Sequence, residues 1–122
     1  MIDHTGLMVT DLDRSAEFFA KALAPLGYSV LKKFGPVVGL GANKDTDLWL
    51  HAGTPTDKVH VALRATSRSA VKAFYEAAIA AGGKDNGGPG VREHYHPDYY
   101  AAFVLCPDGH NVEVVCHEPY LG

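Results

Sequence analysis

Val59 to Gly83 reads VHVALRATSRSAVKAFYEAAIAAGG, and it decides the fold because the chain has already spelled it once. Slid back so that His60 falls on His4, it also places Leu63 on Leu7, Phe74 on Phe18, Tyr75 on Phe19, Ala78 on Ala22, Ile79 on Leu23 and Gly83 on Gly27. A chain that repeats a histidine, an aliphatic strand position and an aromatic helix stripe in the same order is an internal duplication. In each copy the leading stretch alternates. Val59, Val61 and Leu63 share one face and His60, Ala62 and Arg64 the other, as Thr5, Leu7 and Val9 oppose His4, Gly6 and Met8 within an expected strand Ile2–Val9. The aliphatic face packs beneath a helix, so the histidine face is left open.

Working outward, Asp11 or Asp13 caps a first helix with the stripe Phe18, Phe19, Ala22, Leu23 and Leu26, ended by Pro25 and Gly27. Tyr28–Lys33, Val37–Leu40 and Asp47–His51 follow as short strands. GTPTD, residues 53–57, is a tight joint rather than a flexible linker. Ser67 or Ser69 caps the second helix, whose stripe is Val71, Phe74, Tyr75, Ala78 and Ile79. The Gly-rich stretch 82–90 then leads to strands expected at Val91–His96, Tyr99–Cys106 and Asn111–His117. The pattern is α+β: one domain over residues 1–122, made of two βαβββ modules (1–55 and 56–122) whose strands form a curved, partly closed mixed sheet around a cleft.

The 122 residues are 47% hydrophobic and 20% charged with a net charge of −3, which suits one globular domain and disfavours nucleic acid or an anionic membrane surface as partner. No leader-like or membrane-spanning apolar run is present, so a cytoplasmic location is expected. Cys106 and Cys116 lack metal-type spacing and read as buried reduced thiols.

The chemistry-bearing residues are sparse. His4 and His60 recur at equivalent places and face the cleft. Glu113 is the single carboxylate in the apolar run Val112, Val114, Val115, and a charge placed there wants a cation: a metal, or a salt bridge to Arg64 or Arg92. Two histidines and one carboxylate form a facial set that leaves about three positions of a divalent ion free for water or substrate. REHYHPDYY, residues 92–100, reads as pocket rim. Tyr100 is the expected substrate contact, as it opens the strand beside Glu113, with Arg92, His96 and Tyr99 around it. His94 and His96 suit a metal only if the segment is extended, and Pro97 favours a loop. His110 and His117 look peripheral. The loop 82–90 lacks the Lys-Ser/Thr pair and following helix of a phosphate cradle.

HTGLMVTDLDRSAEFFAKAL (4–23), VHVAL (59–63) and AAFVLCPDGHNVEVV (101–115) together resemble the vicinal oxygen chelate superfamily, the glyoxalase, bleomycin resistance and extradiol dioxygenase family. The resemblance covers essentially the whole chain. It implies metal ligands on the first, fifth and last strands, which carry over onto His4, His60 and Glu113. Glyoxalase I-like members add a carboxylate on the fourth strand, where this chain has DLWLH (47–51) and no glutamate; Trp49 and His51 share one face of it, Trp49 as pocket wall and His51 as a pocket or surface residue or a fourth ligand. The resemblance implies a divalent-metal enzyme (Zn, Mn, Ni, Co or Fe) acting as Lewis acid on a small oxygen-chelating substrate, as isomerase, lyase or thiol transferase. The alternatives are a metal-free ligand-sequestering protein of the bleomycin-resistance type, with Trp49, Tyr99 and Tyr100 lining the cleft, or an extradiol dioxygenase. A homodimer is expected, with the site either inside one chain or shared between two.

Overall fold

The computed structural model describes residues 1–120, so the last two residues of the expected domain lie outside it. Its elements are β1 (Thr5–Val9), α1 (Leu12–Ala22), a 3-10 turn (Ala24–Leu26), β2 (Ser29–Phe34), β3 (Val37–Ala42) and β4 (Asp45–Ala52), then β5 (His60–Arg64), α2 (Arg68–Ala80), β6 (Lys84–Asp85), β7 (Gly90–Val91), β8 (Tyr100–Leu105) and β9 (Asn111–Cys116). The duplication is visible in the pairing. The leading strand of each module lies parallel to the module's last strand, β1 beside β4 and β5 beside β9, with the sheet orders β1-β4-β3-β2 and β5-β9-β8-β6. β7 pairs with β8 off the main path. The mixed sheet is thus realised as two separate sheets.

Local chemistry sets the helix ends. Asp11 caps α1 by accepting the Arg14 N–H at 3.0 Å, and Ser67 caps α2 by accepting the Ala70 N–H at 3.2 Å. Pro25 opens the 3-10 turn, and Gly27 closes it at φ +83°, a left-handed conformation that suits glycine. Each helix covers one face of its own sheet, and α1 packs on α2. The core therefore lies between the sheets and the helix pair, with Leu7, Val9, Phe18, Phe19, Leu48 and Leu50 from module one and Val71, Phe74, Ala102, Val104, Val112 and Val114 from module two. Ile79, expected in the α2 stripe, is 38% exposed, because Phe74 and Ala78 on the neighbouring helix face make the contact.

Most expected strands shift by one or two residues at an end, and two differ by more. β1 begins at Thr5 rather than Ile2, because β4 carries a bulge: Leu40 pairs with Leu48 but Gly41 with Thr46, so Asp47 is the extra residue and the parallel ladder stops at Thr5–Leu48. His4 consequently precedes the strand. The expected strand Val91–His96 is only β7. Beyond Val91 the chain loops out and closes on itself, with the Arg92 N–H donating to the Tyr99 carbonyl at 2.7 Å and the Tyr99 N–H to the His96 carbonyl at 3.2 Å, so His94 and His96 do not share a strand face. The Gly-rich stretch before it supplies β6, which pairs with β8.

The turn at Pro107–His110 joins the modules. The fully buried His110 accepts the Val59 N–H at Nδ1 (3.1 Å) and donates from Nε2 to the Met8 carbonyl at 2.9 Å. Beside it the Thr10 hydroxyl donates to Asp108 at 2.8 Å.

Candidate functional site

Register assigns every side chain of module two to a face. In β9, Glu113 pairs with Ala62 of β5 and Phe103 of β8, and all three point away from α2, while Val112 and Val114 go to the core. The parallel ladder also puts His60 on Glu113's face, and the two meet: His60 Nε2 lies 2.8 Å from Glu113 Oε1. His60 is about half exposed (52%), Glu113 almost wholly buried (2%). The second carboxylate oxygen accepts the Tyr99 hydroxyl. No arginine reaches it among the described residues; the partners of this buried carboxylate are an imidazole and a phenol. Loss of solvent and then the bond to Glu113 push the Tyr99 phenol up to about 12, so Tyr99 keeps its proton and acts as donor.

Tyr100, expected at this site, is on the other face. It pairs with Cys116, is buried, and lies under the Arg68 guanidinium, 5.0 Å from its ring centroid. One step along a strand reverses the face, so the phenol that meets Glu113 is that of Tyr99. Arg92, expected in the pocket, is committed to structure: its guanidinium donates to the carbonyls of Gly90 (2.7 Å), Ala101 (3.2 Å) and Gly88 (2.9 Å) and stacks over Phe103. His96 packs edge-on to Tyr99. Its Nδ1 accepts the Asp98 N–H at 3.0 Å, which leaves Nε2 to donate to His117 Nδ1 at 2.7 Å. His117 and His110 thus have partners that their turn and strand-end positions did not suggest. The signal available was the excess of histidine itself.

Module one presents the other residues. Trp49 and His51 of β4 share the face of Gly6 and Met8, away from α1. His4 stands at the edge of that face, exposed, with its Nδ1 2.7 Å from Asp3. Because Gly6 pairs with Trp49 as Ala62 pairs with Glu113, Trp49 occupies in module one the place that Glu113 occupies in module two. Within one chain His60 and Glu113 come together and His4 belongs to the other sheet; no group of three His, Cys, Asp or Glu is placed to hold a metal ion among the described residues. The cysteines are free and buried, and burial pushes the Cys106 thiol up, which suits an inert core thiol. No helix is long and apolar enough to cross a membrane among the described residues.

Solved structures share this architecture. The chain is similar to a glyoxalase/bleomycin resistance protein from Albidiferax ferrireducens, with 24% identity and a TM-score of 0.81 over 98% of this chain and 99% of that one. It is similar to a glyoxalase/bleomycin resistance protein/dioxygenase family enzyme from Burkholderia phytofirmans, with 18% identity and a TM-score of 0.75 over 95% of this chain and 98% of the other. A mutant glyoxalase I from Zea mays is 29% identical with a TM-score of 0.71 over 93% of this chain, which spans 45% of that longer one. No curated protein matches the chain in sequence. The two parallel-closed modules, the histidine and carboxylate on their helix-free faces, and the match of residues 1–114 to the family model lead to one conclusion: the chain belongs to the Glyoxalase/Bleomycin resistance protein/Dioxygenase superfamily.

Proposed function

We propose that this protein is a divalent-metal-dependent, glyoxalase-like enzyme that works as a homodimer on a small substrate presenting one or two oxygens, with an isomerase, lyase or thiol-transferase outcome. The observation that carries the reading is Glu113: a carboxylate 2% exposed, on a helix-free face, held by His60 and Tyr99. Such a charge is expensive to bury without a cation. The donor pair fits an ion. His60 Nε2 and Glu113 Oε1 are an imidazole nitrogen and a carboxylate oxygen that meet on one helix-free face, the donor types divalent metals take.

In this reading His60 and Glu113 of one protomer and His4 of its partner hold the ion. His4 stands just before β1, at the edge of the first sheet's helix-free face, while His60 and Glu113 belong to the second sheet, and a second copy is the source proposed for the third ligand. When bound, the ion supplies Lewis-acid polarisation of a substrate oxygen. The remaining roles belong to the chain. Tyr99, protonated, donates to one oxygen of Glu113 and leaves the other toward His60. Arg92 and Phe103 wall that face, and Ala62 beside Glu113 leaves room for the substrate. Zn, Mn, Ni, Co and Fe all suit the ligand types.

Elemental analysis of protein purified without chelator tests this, together with His4→Ala, His60→Ala and Glu113→Gln. Each substitution is expected to lower bound metal. Mixing His4→Ala with Glu113→Gln chains is expected to restore about a quarter of the sites, since each mixed dimer regains one intact site. Wild-type metal content in all three variants overturns the reading. A second reading, a metal-free ligand-sequestering protein, is favoured by Trp49 standing at the place equivalent to Glu113; metal-free protein with undiminished stability supports it.

A further inference from the structure

We infer that His96 and His117 are positioning residues: an uncharged imidazole pair that fastens the loop after β7, so that Tyr99 is held on Glu113, and that loosens when either ring takes up a proton. His96 Nε2 stands 2.7 Å from His117 Nδ1, with the two rings stacked at a centroid distance of 4.9 Å. On its other side His96 accepts the Asp98 N–H at Nδ1, at 3.0 Å. Tyr99 lies edge-on to both rings, 5.4 Å from His96 and 5.2 Å from His117, so the pair is a wall for the phenol that donates to Glu113. The part Tyr99 plays at a metal rests on the function proposed above. The fastening itself rests only on bonds within the chain.

Those bonds fix both tautomers. His96 must keep Nδ1 bare to accept, so its proton is on Nε2, and His117 must keep Nδ1 bare and carry its proton on Nε2. An added proton finds no place. On His96 it sets N–H against the Asp98 N–H; on His117 it sets N–H against His96 Nε2–H, unless His96 moves its own proton to Nδ1 and gives up Asp98. One proton therefore removes one of the two bonds, and two protons remove both. Among the described residues no carboxylate pairs with either ring to offset this. Asp98 turns to Arg68, 3.8 Å away, and Glu93 and Glu118 are exposed. Tyr99 is spent on Glu113, as is His60, while Arg92 is spent on three carbonyls and His94 stacks on Tyr95 at 4.2 Å. Histidine ordinarily changes charge between about pH 5 and 8, so the loop is held firmly at the upper end of that range and loosely at the lower.

The test is amide hydrogen exchange followed by NMR on EDTA-treated protein, with each protection factor corrected for the intrinsic rate at that pH. The Asp98 and Tyr99 amides are expected to lose at least about tenfold in protection from about pH 8 to about pH 5, while Ala102 and Val114, inside β8 and β9, change by less than about twofold. His96→Asn keeps an acceptor for the Asp98 N–H that takes no proton, and is expected to give protection between wild type and His96→Ala that no longer falls with pH. His117→Phe, which keeps a ring but no acceptor, is expected to lower Asp98 protection at about pH 8 at least about threefold. Wild-type protection that does not fall overturns the inference even where a variant fails to fold. A fall that persists undiminished in folded His96→Asn overturns it too, as does wild-type protection in folded His117→Phe. The protein is metal-free throughout, so a failure here leaves the metal reading standing, and failure of the metal reading leaves the histidine pair standing.

Discussion

Tyr99 and Tyr100 are sequence neighbours with opposite surroundings, and they make the sharpest comparison at single residues. Tyr99 donates to buried Glu113, while Tyr100 packs in the core under Arg68. Tyr99→Phe is expected to cost about 2 kcal/mol in urea denaturation, since hydrogen bonds to charged groups contribute roughly 1.5–3 kcal/mol. It is also expected to weaken metal binding, whereas Tyr100→Phe leaves metal affinity unchanged. The Tyr99 phenol is pushed up to about 12, so the folded state binds this proton more tightly than the unfolded chain, whose tyrosines titrate near 10. Its contribution to stability is therefore complete below about pH 10 and lost as pH rises through about 12. Tyr28, raised by burial and by its 2.8 Å bond to Asp47, acts in the same direction. Tyr99→Phe should thus remove part of the alkaline slope of the denaturation midpoint, and Tyr28→Phe a further part.

Among the elements, β3 shows why strand propensity alone misleads. Its two glycines are poor strand formers, yet what lies opposite requires one of them and crowds the other. A Cβ at Gly41 would stand 1.8 Å from the Asp45 carbonyl oxygen, across a turn in which Asn43 and Lys44 take φ +52° and +70°. A Cβ at Gly39 would meet the Thr46 methyl and the Trp49 ring, which are side chains with room to move. Gly41→Ala is therefore expected to cost more than about 2 kcal/mol and Gly39→Ala about 1 kcal/mol, read from chemical denaturation. Gly39→Ala should in addition shift Trp49 emission. The N-terminal ends of α1 and α2 were legible to within two residues because a cap is a local device, and the structure selects Asp11 over Asp13 and Ser67 over Ser69.

For the molecule as a whole, the junction of the modules rests on the helix pair and on His110. Replacing the fully buried His110 by alanine leaves the part-buried Val59 N–H and Met8 carbonyl without their partner and empties the space of the imidazole, and together about 1–3 kcal/mol is expected. His110→Ala should therefore unfold at least about 2 kcal/mol more easily than wild type, while Asp108→Ala, whose bonds to Thr10 are exposed, changes stability by less than about 1 kcal/mol. A histidine in a hairpin turn reads as peripheral because the residues that bury it, Met8 and Val59, come from a distant strand and from the joint between modules.

What the sequence determined by itself was everything carried by period and repetition: two modules, one helix on each, and the faces on which His60 and Glu113 lie. Strand parity needs only the backbone's own alternation, so those assignments are local. Tertiary structure decided what depends on cross-strand register and on partners far along the chain. The bulge at Asp47 leaves His4 outside β1. The loop after β7 brings Tyr99 rather than Tyr100 to Glu113 and commits Arg92 to three carbonyls. The strand pairing puts the His4 face and the Glu113 face on two different sheets of one chain, because each module closes its own sheet and buries its aliphatic face against its own helix.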